Sequence, residues 1–498
     1  MQLQFEKQGI PYLHTVKREV QTREQTQEIR ISDGMPDIGN IVGTWGQVIL
    51  RGKEWQSDGM TVSGGTMVWV LYLPENGGTP CCVESWIPFQ MRWSFPQTQH
   101  DGIILVQSYL KSVDARSTSA RKMMLRSNVS VLGWAVENGE SEIFAPTEVP
   151  ADVQLQQVSY PMQIPVEAGE KAFSLEETLH LPPSMPKMET LLGCNLQPEI
   201  TETKMMADKV VFRGHTTLHI LYLGEDEGIY SWDYDLPFTQ YNELDREYGE
   251  DAEVMLLPCV TALELDREAE QINLKAGLVC QYRISHRPLL RMVTDAYSPR
   301  RSVTPVLQDL QLPGILESKT QIIHGQMTVP MDSMRLTDVQ FQTQSVHSHT
   351  NGQEAALEIP GTFQTLYYDM EGIPHAVVQK WEQTVTMPVG EETTVESLVF
   401  PSGKAQGTLM SGSAQLSNDM TLLTEAMHHG AIPMVIALEL GELQEPDPQR
   451  PSLILCRSGG KTLWELAKSS GSTVDAIREA NQLQAEPEEQ QMLLIPVI

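Results

Sequence analysis

The feature that most constrains this chain is a spacing. Ile29-Arg-Ile31, Met35-Pro36 and Ile41-Val-Gly43 return as Leu179-His-Leu181, Met185-Pro186 and Leu191-Leu-Gly193, each 150 positions on. Leu71-Tyr-Leu73 returns as Leu221-Tyr-Leu223 and Asp101 as Asp251 at the same displacement, while Pro88-Phe89 returns as Pro237-Phe238 at 149. A third copy is fainter. Leu310-Gln-Leu312-Pro313 echoes Leu179-His-Leu181-Pro182, and Leu366-Tyr-Tyr368 echoes Leu221-Tyr-Leu223 at 145. On these anchors the third copy is longer, 56 positions from Leu310 to Leu366 against 42 from Leu179 to Leu221. The extra residues are expected around Ser345–Gln353, a Ser/His/Thr/Asn/Gly-rich stretch that reads as a loop.

Copies of this size are domains in tandem rather than solenoid units. Their best segments alternate with period two and are rich in β-branched and aromatic residues, as in Val211–Leu223, Met67–Leu73 and Phe363–Tyr368. Each runs into a Gly-containing turn (Pro74–Gly78, Gly224–Gly228, Asp369–Gly372) and then another strand-like run, the pattern of hairpins. No long helical stripe occurs from 30 to 440, and the methionines are read as core filling. Pro161–Gly169 is expected to separate copies one and two, and Ser298–Thr304 copies two and three. The acidic, Pro-rich Gly441–Pro451 is expected to be a semi-rigid linker. The expected fold class is therefore multidomain and mostly β. Repeats fill 1–160, 161–297 and 298–440, a linker 441–451, and a small module 452–498.

A chain of 498 residues with a 41% hydrophobic fraction can bury a large core. A net charge of −30 argues against nucleic acid and anionic membrane surfaces, which require Lys and Arg. The start, Met1–Lys7, lacks a signal-peptide core and no run reaches a membrane span, so synthesis and residence in the cytosol are expected. Six cysteines (81, 82, 194, 259, 280, 456) lack metal or disulfide spacing and are read as buried reduced thiols. Gly459-Gly-Lys-Thr462 is half a P-loop, but the glycine needed at 455 is Leu455. His428-His429 and His347/His349 lack a coordinating set and are read as solvated loop histidines. No cofactor, metal or catalytic constellation is expected.

The last fifty residues parse as strand, helix, helix, strand. Leu453–Cys456 is a short apolar strand ended by Ser458, Gly459 and Gly460. Thr462 with Glu465 three positions on has capping-box spacing, and Leu463, Leu466 and Ala467 form one stripe. Gly471 stops that helix. Ser472 with Asp475 is expected to cap a second, whose inner face is Val474, Ile477 and Ala480. Leu493–Ile495, closed by Pro496, is the return strand. Trp464 is read mainly as an anchor of this small core, with the sharper alternative that its edge lines a binding surface.

This βααβ stretch resembles a LysM module. The family's turn, helix and closing motifs stand here as Gly460-Lys-Thr-Leu-Trp464, Leu466-Ala467, Val474-Asp-Ala-Ile477, Asn481-Gln-Leu483 and Gln490–Pro496. Lys461 replaces the usual Asp of the turn and Gln490 the usual Gly. The resemblance implies binding of N-acetylglucosamine polymers beside those loops. Tandem β-rich repeats ahead of a terminal LysM, with Met35-Pro-Asp-Ile-Gly39 and the Leu-Tyr-Leu hairpins, resemble SipL-type spore-coat morphogenetic proteins, which carry SPOCS repeats. That resemblance implies a non-enzymatic scaffold in the mother-cell cytoplasm at the forespore surface. It also implies a protein partner, the coat's basement-layer ATPase (SpoIVA-type), bound through the LysM. The partner- or glycan-binding face would be Ser458, Gly459, Gly460, Lys461, Thr462 and Leu463 together with Asn481, Gln482 and Leu483. The alternative is a peptidoglycan-binding protein of the spore envelope.

Overall fold

A computed structural model describes residues 2–98, 101–146, 148–160, 162–268, 271–310, 312, 314–445 and 449–498. Met1, Pro161 of the first expected boundary, Gln311 and Pro313 of the third echo, and Pro446–Pro448 of the linker lie outside the described residues.

The chain is mostly β. A short β1 (Gln2–Gln4) precedes β2 (Glu6–Arg30), β3 (Ile38–Gln56), β4 (Gly59–Pro74), β5 (Cys81–Ser94), β6 (Ile103–Ser119) and β7 (Lys122–Ala145). These form two three-stranded antiparallel sheets, β2-β7-β6 and β3-β4-β5. Alternation drives them. In β5, Ile87, Phe89, Met91 and Trp93 are buried while Pro88, Gln90, Arg92 and Ser94 face out. Pro88 is tolerated because β5 is an edge strand, where a missing N–H breaks no ladder. The two sheets close on a shared core that includes Val48, Met60, Met91, Trp93, Val106 and Val131.

The same order follows twice more. After β8 (Gln154–Ser159) come β9 (Ile164–His180), β10 (Met188–Met206), β11 (Lys209–Gly224), β12 (Ile229–Glu243), β13 (Glu253–Glu268) and β14 (Gln271–His286), paired as β9-β14-β13 and β10-β11-β12. After β15 (Arg291–Tyr297) and β16 (Val303–Leu310) come β17 (Gly314–Pro330), β18 (Arg335–Thr343), β19 (His347–Thr350), β20 (Glu354–Tyr368), β21 (Pro374–Pro388), β22 (Thr393–Met410) and β23 (Ser413–His428). These pair as β17-β23-β22, and as β18 and β19 both on β20 with β21 beyond. The register irregularities of β3, at Ile38/Asn40, Ile41/Gly43 and Leu50/Gly52, recur in β10 at Met188/Thr190, Leu191/Gly193 and Ile200/Glu202. We refer to the three sets of strands as units. The Tyr of each early Leu-Tyr-Leu hairpin ties back to the Met-Pro anchor: the Tyr72 hydroxyl donates to the Pro36 carbonyl and that of Tyr222 to the Pro186 carbonyl, both at 3.0 Å.

Strands flanking each unit also pair. β8 runs against β15, and β16 against β24 (Ile432–Leu440). In the first unit the outer ends of β2 and β7 do the same, Glu6–Leu13 against Asn138–Ala145. β1 adds to the far side of β24, so the start of the chain joins the third unit. Ile164–Gly169, expected to separate the first two units, belongs instead to β9. The anchor of the third echo lies one strand too early. Leu310 ends β16, whereas the residues 150 after Leu179-His180 are Val329-Pro330 at the end of β17. From Val329 to Leu366 the third unit is the shorter one. Ser345–Gln353 is not an added loop: it contains β19, which continues the line of β18 along β20 and puts His347 and His349 on an exposed strand.

The units close into a ring. The Cys82 thiol donates to the Leu192 carbonyl (3.2 Å), the Ser231 hydroxyl to the Thr337 carbonyl (3.0 Å), and Ala376 lies against Gly43. Cys82, Ser231 and Ala376 hold the same place in their sheets, opposite Leu71, Leu221 and Leu366. Gly43 is required there, since a Cβ would come 2.6 Å from that of Ala376. Apolar clusters join all three units, among them one containing Leu71, Leu221 and Leu366, one containing Ile10, Tyr160 and Leu310, and one containing Trp134, Ala168 and Leu398.

Trp134 of the last of these is part of a charged knot. Trp134, Arg283 and Glu425 are register counterparts, paired across to Arg18, Ala168 and Ser318. Buried Arg283 pairs with buried Glu425 and stacks over the Trp134 ring at 5.0 Å. Arg18 covers the same ring at 5.0 Å and pairs with Glu396 at 3.3 Å.

At the junction of the second and third units His219 is held between two carboxylates. Its Nδ1 meets Asp233 Oδ1 at 2.6 Å and its Nε2 faces Asp338 Oδ1 at 3.2 Å, with Lys404 and Asp235 nearby. Burial alone would lower its pKa, but the charge of Asp338 and the contacts to Asp233 outweigh it and raise the value to about 10. A raised folded pKa contributes stability that is full below the unfolded value near 6.5 and is lost as pH climbs towards 10. His219→Gln is therefore expected to flatten the alkaline fall in stability between about pH 6.5 and 10, read from unfolding midpoints across pH.

The C-terminal module is β25 (Leu453–Arg457), α1 (Leu463–Ser470), α2 (Val474–Asn481) and β26 (Met492–Pro496), with β25 antiparallel to β26. Among the described residues, no helix is long and apolar enough to cross a membrane. All six cysteines are free thiols; Cys194, Cys259 and Cys280 are buried, while Cys81, Cys82 and Cys456 are half-buried rather than buried.

Candidate docking face of the C-terminal module

The face is built by two helix ends and one acidic loop. Gly459 and Gly460 take left-handed conformations (φ 58° and 75°), which fold the chain from β25 into α1. Thr462 caps α1: its hydroxyl accepts from the Glu465 N–H at 3.2 Å, while the Glu465 carboxylate accepts from the Thr462 N–H at 2.8 Å. The Thr462 N–H, and after it the Thr462 hydroxyl at 3.1 Å, donate to the Glu465 carboxylate and hold it below its ordinary range. α2 is capped by Thr473, which accepts from the Ala476 N–H at 3.2 Å. The expected cap, Ser472, is instead buried, and its carbonyl accepts from Tyr297.

The nine predicted face residues divide by role. Gly459, Gly460, Lys461 and Thr462 are exposed on one loop and Gln482 on the other. Ser458 and Leu463 are buried. The Ser458 hydroxyl donates to the Glu488 carbonyl, and the Leu463 N–H donates to the Glu486 carboxylate at 2.7 Å. Asn481 stitches α2 to β26, donating to the Ile477 and Leu494 carbonyls and accepting from the Leu494 N–H at 2.7 Å. Leu483 packs on the module core. The loop 484–491 thus lies against the turn 458–463, and its Glu486 supplies the acceptor that the start of α1 needs. Glu486→Ala is expected to lower the module's stability by about 1 kcal/mol, the usual loss for a helix cap, measured by hydrogen exchange at the Leu463 amide.

Trp464 does not line this face. Its indole N–H donates to Asp295 Oδ2 at 2.8 Å, and its ring meets Tyr297 edge-on at 4.8 Å between centroids. Lys468 pairs with the same Asp295 at 2.7 Å, and the Tyr297 hydroxyl donates to the Ser472 carbonyl at 3.0 Å. Tyr297 is 5% exposed and belongs to the module's own apolar cluster. Sequence reading passes over Asp295 and Tyr297, and takes Glu486–Glu489 as a solvated loop rather than a site, whereas the Glu486 carboxylate accepts from the Leu463 N–H. Asp295 and Tyr297 sit at the end of β15, far from the module in the chain, and carry no local pattern.

Among the described residues, no group of three or more His, Cys, Asp or Glu side chains is placed to hold a metal ion. Residues 187–266 match the family described as SipL, SPOCS domain; the match runs from the start of β10 through most of β13. It supports a SipL-type, sporulation-related family. Comparison with curated proteins and with solved structures gives no significant match.

Proposed function

We propose that this protein is a non-enzymatic scaffold of spore-coat assembly. It would work in the mother-cell cytoplasm at the forespore surface and bind the coat's basement-layer ATPase through its C-terminal module. The SPOCS match over 187–266 carries the reading. On it, the three units are tandem SPOCS repeats and residues 452–498 a LysM module. The recurrence of strand order and of register irregularities supports the first, and the βααβ order with its capping box supports the second.

The geometry favours a protein over a glycan as occupant. The α1 N-terminus, a natural donor site, already has the Glu486 carboxylate on it, and Ser458 is spent on the Glu488 carbonyl. What remains outward is Lys461, Thr462 and Gln482 beside Glu488 and Glu489, a charged rim suited to a complementary protein surface. Co-purification of the ATPase with the full chain tests this. Deletion of 452–498 is expected to abolish it, and Lys461→Glu with Gln482→Glu to weaken it at least tenfold. ATPase capture unchanged by the deletion would sink the proposal. Murein pull-down is the competing assay: retention of the full chain on murein, enhanced by Lys461→Asp with Gln490→Gly, would favour the peptidoglycan reading instead.

A further inference from the structure

We propose that the open edge of β25 pairs antiparallel with the same edge of a second copy, so that the chain dimerises through its C-terminal module. This edge is a different surface from the turns 458–463 and 481–483, and its pairing does not require the ATPase.

The ladder fixes which backbone groups face outward. The Val497 N–H donates to the Ser452 carbonyl at 3.0 Å and the Ser458 N–H to the Gln491 carbonyl at 2.9 Å, at the two ends of the β25–β26 pairing. Antiparallel bonding alternates along a strand. Ile454 and Cys456 therefore turn their backbone groups towards β26, while Leu453, Leu455 and Arg457 turn theirs away. On β26 the outward groups of Leu494 are taken up by Asn481. On β25 no such cover exists: among the described residues it pairs with β26 alone. The N–H groups and carbonyls of Leu453, Leu455 and Arg457 form a template for another strand.

Edge strands are ordinarily blunted by charge or proline. Those of the ring are: β5 carries Pro88 and Arg92, β12 Pro237 and Asp235, and β21 Lys380 and Glu382. β25 reads Leu-Ile-Leu-Cys before its single charge, Arg457. Its outward side chains are apolar as well. Leu453 and Leu455 are 52% and 62% exposed, beside Met492 and Leu494 of β26 at 49% and 38%. The chain has 65 Asp and Glu residues, yet none lies in 451–457 or 490–498. Two acidic chains can meet along this edge without setting carboxylate against carboxylate.

The register selects a second copy as the occupant. A two-fold axis at Leu455 sets Leu455 opposite Leu455, and Leu453 opposite Arg457 of the other copy. The residues brought face to face are those whose backbone groups turn outward on both strands, so every outward N–H and carbonyl of Leu453, Leu455 and Arg457 gains a partner. The two leucines at the axis pack on each other, and each Arg457 stem lies beside Leu453 of the other copy. The two guanidinium groups stay apart, since their Cα atoms are separated by about 14 Å of strand. Pro451 has no N–H to offer and ends the ladder. Two isolated two-stranded ribbons become one four-stranded sheet, β26-β25-β25-β26.

Sedimentation velocity of the full chain over the micromolar range is expected to show a concentration-dependent dimer. Leu455→Lys, at an exposed position, places two ammonium groups at the axis. It is expected to raise the dissociation constant of the dimer at least tenfold, with hydrogen exchange in α1 and α2 as in the parent chain. Leu455→Cys reads the register. Its paired Cα atoms would lie about 5.5 Å apart, a separation suited to a disulfide, so mild oxidation is expected to yield covalent dimers. Leu453→Cys, with about 14 Å between the two copies, is expected to yield no more than the parent chain. A chain that stays monomeric, a dimer indifferent to Leu455→Lys, or crosslinking through Leu453→Cys as readily as through Leu455→Cys would overturn the proposal. If the parent chain is monomeric and Leu455→Lys instead loses the ATPase, the edge belongs to that partner and the proposal fails.

Discussion

Glu425→Gln is expected to lower the stability of the ring by about 3–5 kcal/mol, the cost of leaving a buried guanidinium without its counter-charge. Arg283 is 2% exposed, and its remaining hydrogen-bonding atoms are buried against the Trp134 ring with no partner of their own. Gln keeps the shape of Glu425 and removes only its charge, so the loss reports electrostatics rather than a cavity. The measurement is the denaturant midpoint of the full chain. The double replacement Arg283→Met with Glu425→Met is expected to recover most of the loss, because two apolar side chains of similar length demand no compensation. An exposed pair such as Lys122–Glu28 is expected to contribute under about 1 kcal/mol. If Glu425→Gln costs no more than removal of that surface pair, Arg283 is solvated and the knot does not act as a lock.

The knot also explains why one chain assembles three similar units in one arrangement. Register counterparts in a ring of like units would ordinarily carry like residues. Here they are an aromatic ring, a cation and an anion, each set against a neighbour. Any other pairing would bury Arg283 beside something other than Glu425. This specificity comes from side chains that give no periodic signal, so it could not be read from spacing. The alternation in Val211–Leu223 did predict strand, because half-burial imposes period two locally. β2 was not predicted. Its residues are largely exposed along Glu6–Arg30, and the strand is held by pairing to β7 rather than by an apolar face. The third echo slipped because Leu310-Leu312 and Val329-Met331 are both apolar doublets at a β end, and only the ladder to β23 distinguishes them. The terminal module was legible almost residue by residue. Its signals, Thr462 with Glu465, Gly471 and the Leu463/Leu466/Ala467 stripe, act within one helical turn. What those signals could not reveal is the surface on which the module rests.

Tyr297→Ala is expected to free that module. The ring of Tyr297 is buried between β15 and the module core, and its hydroxyl ties down the Ser472 carbonyl. Truncating a buried aromatic costs about 3 kcal/mol, which shifts the ratio of docked to undocked module by roughly 100-fold. Limited proteolysis across 441–451 should accelerate accordingly, while hydrogen exchange within β3–β5 stays as in the parent chain. Acid should act on the same contact through Asp295. Its carboxyl is partly desolvated, which opposes ionisation, but Lys468 and the Trp464 N–H hold it below its ordinary range. A depressed folded pKa contributes stability that is present above the unfolded value near 3.9 and is lost as pH falls through the lower folded value. Cleavage of the parent chain by an acid-active protease should therefore rise below about pH 4, and Asp295→Asn should be equally susceptible at neutral pH. On the proposed function, if the ATPase requires the module held in place, Tyr297→Ala will weaken its capture without altering Ser458–Leu463 or Asn481–Leu483. If capture survives undocking, the module works as a tethered head and the contact with β15 serves only stability.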